Sequence, residues 1–176
     1  MGYYVKNILH NKSENWLLNT TAGQIYIHAV TENNFEVQMT GVVELPSKHG
    51  FFCNTGVPHL VLEIKRLADY PEKKEMARAL RSHPDFGSAG TNVTFIEFLP
   101  ETFKVKAVSF ERGVEDFTAA CGTGAMAAAF YNLKKQKCAK TEVEMPGGML
   151  IMDVSDLTKP IMTGSAVALG EFSYEI

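Results

Sequence analysis

The stretch Ala120-Cys121-Gly122-Thr123-Gly124-Ala125 and the segment it opens constrain this chain more than any other feature. Two glycines bracket a threonine, and alanines follow at 125, 127, 128 and 129. Such a run predicts a glycine-rich turn leading into a helix over 124–135, small enough in its side chains for a neighbouring element to lie close against it. A turn of this kind also leaves N–H groups unpaired at the positive end of the helix dipole. That end suits a carboxylate, and it is expected to lower the pKa of a thiol placed there. Cys121 stands at this position, as either a reactive thiol or a small buried cysteine with no chemistry; five residues alone do not separate the two.

What surrounds the helix reads as strands. Residues 24–30 and 35–39 alternate about the turn Thr31-Glu32-Asn33-Asn34, which predicts a hairpin. Residues 60–64, 93–98, 103–110 and 167–172 read as further strands, and 142–145 with 149–154 as a second hairpin about Pro146-Gly147-Gly148. A helix is predicted over 71–81, with Pro71 at its first turn, and the apolar spacing of residues 3–9 predicts another at the beginning of the chain. The class is therefore α+β, many strands around few helices. Pro46-Ser47-Lys48-His49-Gly50 interrupts the pattern and is read as a linker, dividing the chain into 1–46 and 47–176, with a return of the last strand to the first half as the alternative.

Composition excludes several roles. The net charge of -3 and scattered basic residues give no nucleic-acid surface, and the short cluster Lys134-Lys135-Gln136-Lys137 reads as a solvated helix end. No apolar run approaches the ~18 residues of a membrane span, and the first residues show no signal-peptide pattern. Three cysteines, Cys53, Cys121 and Cys138, form no CxxC, and no histidine cluster has metal spacing. Reduced thiols in the cytoplasm, without a metal, follow from this pattern. Cys53 after two phenylalanines is expected in the core, Cys138 at an exposed helix end, and the methionines in packing roles.

Four other residues carry polar chemistry. Glu111-Arg112 ends a predicted strand: the guanidinium can fork onto a carboxylate and the carboxylate can accept from an ammonium, or the two form a surface ion pair. His59 titrates near neutrality and can serve a proton relay or a structural bond. Asn92 can bind either end of an amino acid or close an Asx turn. A Cys121-His59 hydrolase pair is the weakest reading, since no third orienting group is evident.

Taken in order, these motifs resemble the diaminopimelate epimerase family. The resemblance rests on Gly56-Val57-Pro58-His59, His83-Pro84-Asp85-Phe86 with Thr91-Asn92-Val93, Phe110-Glu111-Arg112-Gly113, Ala120-Cys121-Gly122-Thr123-Gly124-Ala125, and Met145-Pro146-Gly147-Gly148-Met149-Leu150. It is strong from about 51 to 170 and looser before, around Thr21-Ala22-Gly23 and Val37-Gln38-Met39-Thr40-Gly41. It implies an epimerase-like half-barrel, a mixed sheet wrapped around a central helix. It also implies inversion of an amino-acid α-carbon, LL- to meso-diaminopimelate in lysine biosynthesis, without pyridoxal phosphate or other cofactor. Two cysteines on opposite faces would exchange the α-proton. By position, Cys121, His59 and Glu111 would be the catalytic residues. Asn92, Glu111, Arg112, Gly122 and Thr123 would bind the amino-acid substrate.

Two departures stand out. The family's other cysteine belongs to a Cys-Gly-Asn-Gly motif that these 176 residues do not contain. The chain is therefore expected to lack part of a first half-domain, to expose a sheet edge or an apolar face, and to associate as a homodimer or with a complementary N-terminal half. The alternative is an incomplete epimerase-like domain that acts as a binding or interaction module. The second departure is Val57, where the family carries a substrate-binding Asn; an apolar side chain supplies none of those hydrogen bonds.

Overall fold

The computed structural model describes residues 6–7, 9–10, 12–20, 23–99, 102–167 and 170. The helix expected over 3–9 and the strand expected over 167–172 fall largely outside them. The chain forms two compact units, one of residues 1–38 with 163–176 and one of residues 39–162.

In the first unit β1 (Asn15–Thr20), β2 (Gly23–Ala29) and β3 (Asn34–Gln38) form an antiparallel meander. The hairpin turn falls where the sequence places it, and the Thr31 hydroxyl accepts the Asn34 N–H within it. Alternation sends Ile27, Ala29 and Phe35 inward with Trp16, Leu18, Ile25 and Val37. Leu17 and Tyr26 face each other across β1 and β2 on the opposite side, each about half exposed.

The second unit is an open mixed sheet with one central helix. Its strands are β4 (Val43–Leu45), β5 (Phe51–Asn54), β6 (Pro58–Glu63), β7 (Asn92–Leu99), β8 (Lys104–Glu111), β9 (Asp116–Thr118), β10 (Lys140–Met145) and β11 (Gly148–Asp153). They lie in the order β11-β10-β8-β7-β6-β5-β4, with β9 paired to β8. The β6–β7 and β8–β10 pairs are parallel, and the β4–β5, β5–β6, β7–β8, β8–β9 and β10–β11 pairs antiparallel. A further strand, β12, covers Ile161–Ser165.

Two helices cover the two faces. α1 (Lys74–Arg81) packs with Val93, Phe95, Val108 and Phe110. α2 (Gly122–Gln136) packs on the other face, against Val61, Ile96, Val105, Ala107, Val143 and Met152. Its alanines 125, 127, 128 and 129 are fully buried. With both faces covered, residues 92–96 of β7 and 107–110 of β8 are buried without a break.

Several expectations change. Residues 46–50 form the loop between β4 and β5, which pair antiparallel within the second unit, so the unit boundary lies at 38/39 and not at 46/47. The helix expected from Pro71 begins later. Proline has no N–H to donate, and it sits inside a 3-10 turn, Leu67–Lys73, whose Pro71 carbonyl accepts the Lys74 N–H. Strands β1, β4, β5, β9 and β12 carried too little alternation to be predicted.

Candidate active site

The register of three strands builds the site. β6 pairs with β7 so that His59 lies beside Asn92, and β7 pairs with β8 so that Thr94 lies opposite Ser109. His59, Asn92, Thr94, Ser109 and Glu111 share the strand parity of the residues that face α2. They form a polar end to that face, where α2 begins.

Cys121 caps the helix. Its backbone is extended, and its Sγ accepts the Gly124 N–H at 3.3 Å, the role usually taken by a serine or aspartate oxygen. Thr123 Oγ1 lies 3.4 Å from Sγ, and the Cys121 N–H points to Met145 Sδ. A Cβ built on Gly124 would fall 2.1 Å from Ser109 Oγ and 3.2 Å from Cys121 Sγ, so only glycine lets the sheet approach here. A Cβ on Gly122 would meet the flexible Met162 side chain at 3.0 Å.

The expected lowering of the thiol's pKa is not what this setting gives. Burial pushes the Cys121 thiol up; the Thr123 hydroxyl and Gly124 N–H oppose that, Glu111 adds to it, and the Ser109 hydroxyl opposes it again. Desolvation of the thiolate outweighs the donors around it.

His59 is fully buried. Its Nδ1 lies 2.9 Å from Thr94 Oγ1, and its Nε2 3.0 Å from Thr123 Oγ1 and 3.3 Å from Asn92 Nδ2. Burial, and then the Arg112 charge, lower its pKa from 6.5 to about 3, so the ring is neutral across the physiological range. An unfolded chain takes up a proton at 6.5 that the folded chain refuses until about 3. Stability therefore falls as pH falls through that window, by roughly 5 kcal/mol in all. His59→Gln is expected to flatten the pH dependence of unfolding free energy there; urea titrations at a series of pH values measure it.

Asn92 is turned inward, its Oδ1 accepting the Arg112 backbone N–H at 2.9 Å. Glu111 accepts from the Thr118 hydroxyl, and none of the ion pairs among the described residues uses Glu111 or Arg112. The surface pair open from sequence is thus not formed. Thr55 Oγ1 donates to the Thr123 carbonyl at 3.0 Å and steadies the first turn. Thr55, Thr94, Ser109 and Thr118 escaped the sequence reading. For Thr94 and Ser109 the signal was a hydroxyl within an apolar stretch, Val93-Thr94-Phe95 and Val108-Ser109-Phe110.

The other cysteines stand apart. Cys53 is fully buried, and burial, with Glu44, pushes its thiol to about 12. It is expected to resist alkylation in the folded chain, and mass spectrometry of the labelled peptides checks this. Cys138 lies beyond the far end of α2, whose 15 residues span about 22 Å. Elsewhere, His49, His83 and Asp85 bring possible ligand atoms within 4.8 Å, a grouping their sequence separation concealed. Its carboxylate is already engaged by His49 at 2.6 Å and Lys48 at 3.0 Å, beside a groove of about 500 Å³.

A neutral histidine, a thiol and helix N–H groups thus meet where the central helix of an open mixed sheet begins, in an α+β protein. Known proteins agree. The family model for Diaminopimelate epimerase matches residues 51–169. A diaminopimelate epimerase from Aquifex aeolicus is 40% identical over 134 residues, 72% of this chain and 47% of the relative. One from Thermotoga maritima is 32% identical over 146 residues, 80% of this chain and 58% of the relative. A solved phenazine biosynthesis protein of the PhzF family from Bacillus anthracis shares the fold with a TM-score of 0.73 at 15% identity, over 98% of this chain and 73% of that one. This chain belongs to the diaminopimelate epimerase family, and it spans about half the length of the curated relatives it matches.

Proposed function

We propose that this chain carries one half of a two-thiol amino-acid epimerase site, in which Cys121 exchanges the substrate's α-proton on one face. The observation that carries the reading is the Cys121 thiol at the cap of α2, with hydroxyl and N–H donors around its sulfur. A proton on carbon is weakly acidic, so its removal needs a positioned base and donors for the developing charge. The N–H groups of Gly122 and Thr123, at the start of α2, suit the substrate carboxylate. The unpaired Arg112 suits a second carboxylate, and Glu111 an ammonium.

Inversion needs a second thiol on the opposite face. Cys53 holds its proton too tightly and Cys138 is a helix length away. The other thiol therefore comes from outside these residues, on a further segment or a second chain. Among the described residues no helix is long and apolar enough to cross a membrane.

Conversion of LL- to meso-diaminopimelate, followed by chiral chromatography, tests the proposal. The chain mixed with a family segment bearing Cys-Gly-Asn-Gly is expected to convert it, and the chain alone is not. Failure of the mixture, with both parts folded and associated, would favour the interaction module. Val57 makes an amino acid with an apolar tail the second substrate to try.

A further inference from the structure

The polar groups around Cys121 have a direction, and it can be read from one fixed donor. The Arg112 backbone N–H only donates, so the Asn92 atom 2.9 Å from it is the carbonyl oxygen. The other Asn92 atom is then the NH2 group, 3.3 Å from His59 Nε2. An amide NH2 cannot accept, so Nε2 accepts, and the single proton of the neutral ring sits on Nδ1. Nδ1–H donates to Thr94 Oγ1 at 2.9 Å. Having accepted there, Thr94 turns its own hydrogen to Ser109 Oγ, also at 2.9 Å. Ser109 is left with one hydrogen, and Cys121 is its neighbour at Gly124, where a Cβ would lie 2.1 Å from Ser109 Oγ and 3.2 Å from Cys121 Sγ. Ser109 Oγ, Cys121 Sγ and the His59 ring converge on the open face of Gly124.

We propose that Asn92, His59, Thr94 and Ser109 form a one-way hydrogen-bond relay that delivers its last O–H to Cys121 Sγ, making Thr94 and Ser109 positioning residues for the reactive thiol. The relay gives His59 a role other than general base, because neither ring nitrogen is open to take a proton from sulfur. It also gives Thr123 two positions. Its hydroxyl lies 3.0 Å from Nε2 and 3.4 Å from Sγ. With a protonated thiol it donates to Nε2. With a thiolate it turns to the sulfur, while Asn92 keeps Nε2 satisfied. The thiolate is then held by Thr123 O–H, Ser109 O–H and Gly124 N–H together. The charged groups acting here are Glu111, which disfavours the thiolate, and Arg112, which disfavours a charged His59; Glu111 ends β8 and Arg112 follows it.

The proposal rests on the reading of Cys121 as an acid/base thiol, but its test reads the thiol directly and needs no turnover. Iodoacetamide labelling of the Cys121 peptide, followed by mass spectrometry across pH, gives the titration of that sulfur in the intact chain. Ser109→Ala is expected to move the inflection to higher pH and slow labelling near neutrality roughly tenfold. Thr94→Val moves it the same way, and Thr94→Ser restores the wild-type profile. A Ser109→Ala profile that coincides with wild type would overturn the relay, as would Thr94→Ser behaving like Thr94→Val. Nitrogen-15 spectra of the histidines in the unmodified chain provide a check that needs no variant: His59 is expected as the Nδ1–H tautomer, and an Nε2–H signal would overturn the proposal. If these results hold while epimerisation fails, the relay stands and the enzymatic reading falls.

Discussion

Cys121→Ser leaves the fold intact and lowers LL-to-meso conversion, measured with the complementary half present, by roughly a thousandfold or more. The size follows from what a positioned acid/base contributes, about 10² to 10⁴ in rate. A serine hydroxyl is a far weaker acid than a thiol, so it cannot alternate between accepting and delivering the α-proton at neutral pH. It is, however, a better cap than sulfur. Cys121 caps α2 through the Gly124 N–H, and serine keeps that bond. Cys121→Ala loses both, and is expected to cost about 1 kcal/mol of stability in addition to the rate. Thermal unfolding of the two variants separates cap from chemistry: equal activities with unequal melting temperatures is the expected pattern. Activity in either variant close to wild type would remove Cys121 from the reaction.

Gly124→Ala is expected to destabilise the second unit strongly, because it places a methyl group between α2 and the sheet. The added carbon would sit 2.1 Å from Ser109 Oγ, well inside van der Waals contact, with Cys121 Sγ and the His59 ring also within 3.3 Å. Relief requires α2 to move off the sheet or Ser109 to leave its rotamer, and overpacking of this kind costs roughly 1–3 kcal/mol or more. The clash is with one oxygen, which makes it testable in a double-mutant cycle. Ser109→Ala removes that oxygen, so Gly124→Ala should destabilise much less in the Ser109→Ala background than in wild type. Additive effects in urea unfolding would mean that Gly124 is required for another reason.

The same residues show where the sequence was readable. The small-residue helix, the strands around it and the polar turn all carry strong local signals, and these emerged as α2, β6, β7, β8 and the β10–β11 hairpin. The order of motifs pointed to the family. What stayed hidden depends on register. Thr94 and Ser109 look like ordinary strand residues until β7 and β8 are aligned, and only then does a hydroxyl pair appear beneath the thiol. The direction of the thiol's pKa was missed for a related reason. A helix N-terminus is visible in sequence, but the burial that outweighs it is a property of the packed sheet. The loop at 46–50 looked like a linker because proline, glycine and polar residues mark both linkers and hairpin loops; the pairing of β4 with β5 decides between them. Asn92 shows a third limit. Its side chain type suits a ligand, yet both ends of its amide are engaged within the protein.

The central claim, that Cys121 supplies one of two opposed thiols, is tested most directly by the fate of the α-hydrogen. The chain and a Cys-Gly-Asn-Gly partner are mixed with LL-diaminopimelate in deuterated water, and substrate and product are analysed early in the reaction. With two thiols on opposite faces, the proton is removed by one and deuterium delivered by the other. The meso product should then carry deuterium while the recovered LL substrate does not. Equal labelling of both from the outset would mean that one base serves both faces, and would contradict a divided two-thiol site.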